Sequence, residues 1–449
     1  MSKYEQIMDH IKKEIQQNKL KPGDKLPSLN EMSQHYQCAK GTVLKAYETL
    51  EKHLIIFSKP QSGYYVAANL IPPSPEQNIV HLDTGNPLVS ATTFNEVKQC
   101  LNIAAEYYSL KSLDVTVRGM DSLNQQLVHY LEEDGIYAKQ EQIYLIQGIT
   151  QMLTIFSSMP FPNHKVTILI EEPTYSFYIR YLKTMHFPVK TIQRKQQIID
   201  LNELERCFKE DNIKFFYTIP RHHNPTGSYY SHSTRKKIMD LAIKYDVYII
   251  EDDYFCHYDR IPKYLPLYYF SNQSHCIYLR SYTKTLPFIR IGIAVVPQDF
   301  IQYMNKMIDI SYYYSYHMPS LVSQATLEAY IQGGIYKTQY QVISHEIHEK
   351  RKMVLKVCKE FDSNIIEYQK GHTGYYFILR LSPKINTDFF IQELKRQQIY
   401  VSSTKKNYYH LEHYDNSIRL SLSRIRLDQI APTLETIYFL AKQLCHHNT

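Results

Sequence analysis

The sequence predicts two domains: a winged helix-turn-helix at the N-terminus and a large α/β domain built on a doubly wound, mainly parallel sheet. Three observations carry this. Residues 1–66 read in order as helix, helix, turn, helix and hairpin. Residues 67–79 form a linker, with Ala67–Gln77 carrying three prolines and no periodic pattern. Over residues 80–449, short apolar runs alternate with helical stretches, as they do where crossover helices wind a parallel sheet.

In the first unit, Ile7, Ile11 and Ile15 recur every four residues and mark one helix face. Lys21-Pro22-Gly23-Asp24 ends that helix. Ser28 stands three residues before Glu31, the spacing of a capping box that starts a second helix. A third helix is expected over about Lys40–Lys52, with Val43, Leu44, Tyr47 and Leu50 inward. Ile55-Ile56-Phe57 and Tyr64-Tyr65-Val66 flank a turn and predict a two-stranded wing. In the large domain the strand candidates are Val166–Ile170, Phe215–Ile219, Val247–Ile250, Cys276–Leu279 and Gly292–Val296.

Composition bounds the function. A chain of 449 residues is too long for a single core. With 44% hydrophobic and 21% charged residues it is globular. No apolar run approaches the roughly 20 residues of a membrane span, and MSKYEQIMDH has no apolar signal core. The expectation is a cytoplasmic protein without membrane contact, associated with the nucleoid when bound to DNA. The 7 cysteines form no C-x-x-C pair, so reduced thiols and no metal site are expected. A net charge of +7 permits a nucleic-acid partner without requiring one.

The residues of the first unit suit DNA. Residues 1–66 hold ten lysines and seven acids, net +3, and no arginine. Lys40, Thr42 and Lys45 place short and basic side chains at the start of the third helix, where base edges and phosphates are met. Ser62 and Gly63 make a wing tip small enough to approach a minor groove. Pro22 through Ser28, Lys40-Gly-Thr-Val-Leu-Lys-Ala-Tyr-Glu-Thr-Leu50 and Gln61-Ser-Gly-Tyr-Tyr-Val66 together resemble the GntR-type DNA-binding domain. That resemblance implies operator double-stranded DNA as partner, with Ser28, Lys40, Thr42, Lys45, Ser62 and Gly63 at the interface. Asn30 and Lys40 stand where the family has arginine. Lysine grips phosphate but cannot fork to guanine, so arginine–guanine pairs should contribute less to sequence preference.

The large domain carries a second set of motifs. They are Gln147-Gly-Ile-Thr-Gln151, Glu171-Glu-Pro-Thr-Tyr175, Tyr217 through Asn224-Pro-Thr-Gly227, Ile250-Glu-Asp-Asp-Tyr254, Ser281-Tyr-Thr-Lys284 and Arg290-Ile-Gly292. Their order resembles the fold-type I aminotransferases, class I and II, which bind pyridoxal 5'-phosphate (PLP). The resemblance implies that Lys284 forms the Schiff base with the cofactor. It places Asp252, or Asp253 beside it, on the pyridine nitrogen. Asn224 and Tyr254 fall to the ring oxygen, and Tyr175 to the ring face. Ser281, Arg290, Thr150 and the Ile149 N–H fall to the phosphate, and Arg419 to the carboxylate of an effector.

A GntR-type winged helix joined to an aminotransferase-like domain is similar, end to end, to the MocR subfamily of transcription regulators. The resemblance implies a head-to-tail homodimer. Its DNA binding would answer an amine or amino-acid effector, or PLP itself, through the lysine-linked cofactor. The alternatives are a working aminotransferase with an appended DNA-binding domain, and a DNA-binding protein whose large domain only dimerises. Asp114 replaces the tyrosine that reaches a neighbouring subunit's phosphate, and the step from Lys284 to Arg290 is one residue short. Both departures predict little transaminase turnover.

Overall fold

The computed structural model describes every residue except 1, 18, 22, 54, 60, 61, 68–78, 86–90, 108–114, 257–263, 287, 311–317, 370, 372, 448 and 449. The proline-rich part of the linker, Pro22 and Asp114 therefore lie outside the described residues. The chain divides into two compact units, Met1–Ile79 and Val80–Thr449.

The small unit contains the helices Lys3–Gln16, Leu29–His35 and Lys40–Lys52, then the antiparallel strands Ile56–Lys59 and Gly63–Val66. Ser28 and Glu31 close the capping box: the Glu31 N–H donates to Ser28 Oγ at 3.3 Å, and the Ser28 N–H to Glu31 Oε2 at 2.7 Å. Ile7, Ile11, Val43, Ala46, Tyr47, Leu50 and Val66 form the core. The inner face of the third helix differs from expectation by one position. Ala46 is buried, whereas Leu44 is half-buried. The seam at 43, 46, 47 and 50 follows the 3.6-residue period, which turns residue 44 toward the edge. Tyr47 is fully buried and satisfies its hydroxyl by donating to the Pro27 carbonyl at 2.8 Å.

The large unit holds an eight-stranded sheet. In spatial order its strands are Ile143–Ile146, Gly292–Val295, Cys276–Ser281, Tyr248–Asp253, Ile213–Thr218, Thr167–Glu172, Val189–Lys195 and Ile198–Ile199. The five from Cys276–Ser281 to Val189–Lys195 run parallel. Gly292–Val295 is antiparallel to both its neighbours. The central strands are buried along their whole length, which is why their sequences are mostly apolar, Lys214 and the Glu251-Asp252-Asp253 end excepted. A second, antiparallel sheet orders Ile366–Gln369, Tyr376–Leu381, Ser417–Ser421 and Ser402–Ser403. No described helix is long and apolar enough to cross a membrane.

Candidate ligand cavity and nucleic-acid interface

The carboxyl ends of parallel strands are where a doubly wound sheet opens a crevice. Here Pro173-Thr174-Tyr175 follows the strand Thr167–Glu172, and Ile219 to Gly227 follows Ile213–Thr218. Asp252 lies near the end of Tyr248–Asp253, and Lys284 lies three residues past Cys276–Ser281. These segments enclose a cavity of about 380 Å³. Ile149, Thr150, Tyr175, Asn224, Asp252, Tyr254, Ser281, Lys284 and Arg290 all line it. The sequence-predicted cofactor residues, drawn from six separate motifs, thus come together around one space.

Asp252 is fully enclosed. Tyr217 donates its hydroxyl to Asp252 Oδ2 at 2.7 Å, while Oδ1 is buried with no hydrogen-bond partner. Burial pushes its carboxyl up to about 7, against the pull of the Tyr217 hydroxyl. Asp253, the neighbouring alternative, does not line the cavity. It takes Arg221 Nε at 2.6 Å and the Tyr278 hydroxyl at 2.6 Å. Burial works against its ionisation, but the Arg221 guanidinium overcomes it and holds the carboxyl below its usual range. Two adjacent carboxyls are therefore driven apart, and only Asp252 offers a free oxygen to the cavity.

Lys284 has its amine pushed below the ordinary lysine range, first by burial and then by the Arg419 charge. Tyr376 sits on the same side. Burial alone would raise its phenol, but the Lys284 and Arg419 cations bring it below its usual value. Arg419, in the strand Ser417–Ser421, stacks 4.5 Å above the Tyr376 ring. It donates to Asn224 Oδ1 at 3.0 Å and to the Asp83 carbonyl at 2.7 Å. Arg419 stands behind the cavity wall rather than in its lining. Tyr254 donates its hydroxyl to the His222 carbonyl at 2.7 Å, and the Thr150 and Tyr175 hydroxyls are 3.5 Å apart.

Behind the Asn224 loop lies a buried polar cluster. Glu171 Oε1 accepts from Arg194 at 2.8 Å, Thr218 at 2.7 Å and Tyr230 at 2.5 Å. Its Oε2 accepts from the Ile219 N–H at 3.2 Å. Burial opposes ionisation of Glu171, yet the Arg194 guanidinium, the His223 ring and the Tyr230 hydroxyl bring it down to about 2. The fixed charge ties together the strand ends that carry Tyr175 and Asn224.

The donor set fits PLP. A carboxylate with one unsatisfied buried oxygen suits a protonated ring nitrogen. The first N–H groups of the helix Ile149–Ser158, with Thr150, Ser281 and Arg290, suit a phosphate. Sequence reasoning missed Tyr217, Thr154, Thr283 and Tyr376 as parts of this site. Tyr217 stood inside a recognised motif without an assigned role; Tyr376, one of 41 tyrosines, had no distinguishing neighbour.

In the small unit Lys40 and Lys45 are exposed and Thr42 is half-buried on the outer face of Lys40–Lys52. The Lys45 ammonium lies 4.9 Å above the Tyr4 ring, and Lys59 4.4 Å above Tyr65. Ser62 Oγ is 2.6 Å from the Tyr65 hydroxyl, and Gly63 turns the wing with φ of +108°, open to glycine and strained for other residues. Ser28 uses its hydroxyl oxygen to cap the second helix.

Comparison with known proteins gives concordant matches. The family described as aminotransferase class I and II matches residues 77–437, and bacterial regulatory proteins of the gntR family match residues 3–66. The uncharacterized HTH-type transcriptional regulator YcxD of Bacillus subtilis is 30% identical, over 96% of this chain and 98% of its own. The HTH-type transcriptional regulator NorG of Staphylococcus aureus is 21% identical, over 94% and 100%. Among solved structures, the multiple substrate aminotransferase of Thermococcus profundus aligns with TM-score 0.71 at 19% identity, covering 83% of this chain and 93% of that one. The kynurenine aminotransferase of Pyrococcus horikoshii aligns with TM-score 0.72 at 21% identity, over 82% and 91%. At those identities the structures share the fold.

Proposed function

The chain belongs to the class I and II aminotransferase family, a PLP-dependent fold, and joins to it a gntR-family DNA-binding domain as MocR-type regulators do; from that premise we propose that this DNA-binding transcription regulator senses an amine or amino acid, or PLP itself, at the Lys284 cavity. The observation that supports it is the convergence of Lys284, the open Asp252 oxygen and a phosphate cup on a single space, in a chain whose other unit exposes Lys40 and Lys45.

When bound, PLP supplies an aldehyde that condenses with primary amines and a ring that withdraws electrons. The chain's residues prepare for it. Lys284, with its amine pK lowered by burial, holds more of the neutral form that is nucleophilic. Asp252 Oδ1 would hold the ring-nitrogen proton, with the Tyr217 hydroxyl fixing the carboxylate in place. The Ile149 N–H, Thr150, Ser281 and Arg290 would hold the phosphate, Tyr175 the ring face, and Asn224 and Tyr254 the ring oxygen. Arg419 would orient an incoming carboxylate by its planar fork.

Effector and operator are then linked thermodynamically. A ligand at the cavity changes operator affinity only by binding the DNA-competent and DNA-incompetent states unequally. The regulator acts as a homodimer in the cytoplasm, where two small units read two half-sites of one operator.

The test is a titration of the PLP-loaded full chain with amines and amino acids, following visible absorbance and operator affinity together. A ligand that shifts both supports the reading. Lys284→Ala should remove the lysine-linked absorbance and the ligand response while the fold survives. A variant that keeps both overturns the assignment.

A further inference from the structure

We propose that the cavity takes an amino acid whose long side chain ends in an anion, carboxylate or phosphate, held in a basic groove beside Arg419. The proposal rests on the ligand-sensing reading above and names the ligand's class.

The groove, about 820 Å³, is a separate depression in the large unit. Its basic lining residues are Arg180, Lys183, Lys405 and Lys406. None of these four forms an ion pair among the described residues; Arg180 and Lys183 lie only over the rings of Phe177, at 5.5 Å, and Tyr409, at 4.8 Å. Two acids, Asp83 and Asp388, also line it, so cations outnumber anions by two. Four cations without an ion-pair partner among the described residues, around a concave surface, make a standing positive potential.

The groove adjoins the cavity through shared structure. Tyr175 lines the cavity, and the next two residues, Ser176 and Phe177, line the groove. Asp83 lines the groove and accepts Arg419 at its carbonyl; Arg419 in turn contacts Asn224 and Tyr376, which line the cavity. The backbone turn that carries the lysine pair is anchored. Lys405–Asn407 is one helical turn, and its Asn407 exchanges hydrogen bonds of 2.8 and 2.9 Å with the Thr174 backbone. A ligand with its α-carboxylate on Arg419 would have the groove next to it, because Asp83, which accepts from Arg419, also lines the groove with the exposed Lys405 and Lys406. The floor beneath them is apolar (Phe177, Ile179, Val401), which suits a methylene stem.

The test uses the PLP-loaded full chain and calorimetric titration. The probes are L-α-aminopimelate and L-α-aminoheptanoate, the same carbon chain with and without a terminal carboxylate, and a phosphonate-ended analogue. Aminopimelate or the phosphonate should bind roughly ten-fold more tightly than aminoheptanoate, a preference that shrinks with added salt. Whichever anionic probe is tighter identifies the end group. The double variant Lys405→Ala/Lys406→Ala should bring the anionic probes down to the aminoheptanoate level while cofactor absorbance stays. Equal affinities in the wild type, binding by none of the probes, or a preference that survives the double variant overturns the groove. Arg419→Ala binding every probe as the wild type does would overturn the Arg419 anchor, whereas probes that bind without shifting the cofactor absorbance would instead overturn the ligand-sensing reading on which the proposal rests.

Discussion

Replacing Asp252 by asparagine should stabilise the cofactor-free protein at alkaline pH while weakening its hold on PLP. The carboxyl is fully buried, and its pK rises from 3.8 to about 7. A carboxyl raised in the folded state gives stability that is fully present below the unfolded value and is lost as pH climbs through the folded one. By pH 8 the loss is the full shift of about three units, on the order of 4 kcal/mol. Asparagine keeps the oxygen that accepts from Tyr217 but puts an amide where Oδ1 lacks a partner, which costs about 1–3 kcal/mol. The net gain at pH 8 is about 1–3 kcal/mol. At pH 5 the folded carboxyl is already protonated, so the gain falls by roughly 2–3 kcal/mol and vanishes or reverses. Urea unfolding of the cofactor-free chain, read by tyrosine fluorescence since the sequence holds 41 tyrosines and no tryptophan, measures both points. An Asp252→Asn penalty that is the same at pH 5 and pH 8 would refute the titration argument. Unchanged PLP affinity would refute the role of Oδ1.

Other predictions address the remaining parts. Lys40→Ala should weaken operator binding and lower the log–log salt slope by about one unit with PLP content unchanged; wild-type affinity by gel shift would remove Lys40 from the interface. Gly227→Ala should destabilise the large unit by about 2–4 kcal/mol and loosen the Asn224 loop. Its φ is +62°, and a Cβ there would lie 2.2 Å from the Tyr376 carbonyl oxygen; a melting curve that does not move would count against that close approach. Steady keto-acid production from amino donors should stay below about 1 s⁻¹, the low end of ordinary enzymes, and a faster rate by product assay would make the chain an aminotransferase.

The legible parts of the sequence were those where one physical demand fixes residue type. Strands buried on both faces show as short apolar stretches, Phe215-Phe216-Tyr217 and Tyr248-Ile249-Ile250 among them. The second sheet shows this in Tyr376–Leu381 but not in its neighbour. Its strand Ser417–Ser421 reads Ser-Ile-Arg-Leu-Ser, polar at every other position, because one register must present Arg419. Lys284, Asp252 and Arg290 could be read because the aminotransferase motifs hold them at fixed spacing. Tyr217 and Tyr376 act through contacts across strands far apart in the chain, and the eight-strand sheet order that creates those contacts is not written locally. Leu44 shows the scale of the remaining error: the helix and its phase were right, and one inward position, Ala46, was given to Leu44 instead.

Arg419 belongs to the four-stranded sheet, whereas Asn224 follows a strand of the eight-stranded one. The guanidinium is thus a rivet between two layers. It owns five N–H groups, of which one reaches Asn224 and one the Asp83 carbonyl. Its Nε is buried with no hydrogen-bond partner among the described residues. A carboxylate fork takes two donors, so the arithmetic leaves room for a ligand without unfastening either existing bond. A carboxylate bound there would add to the fastening between the layers instead of trading it away.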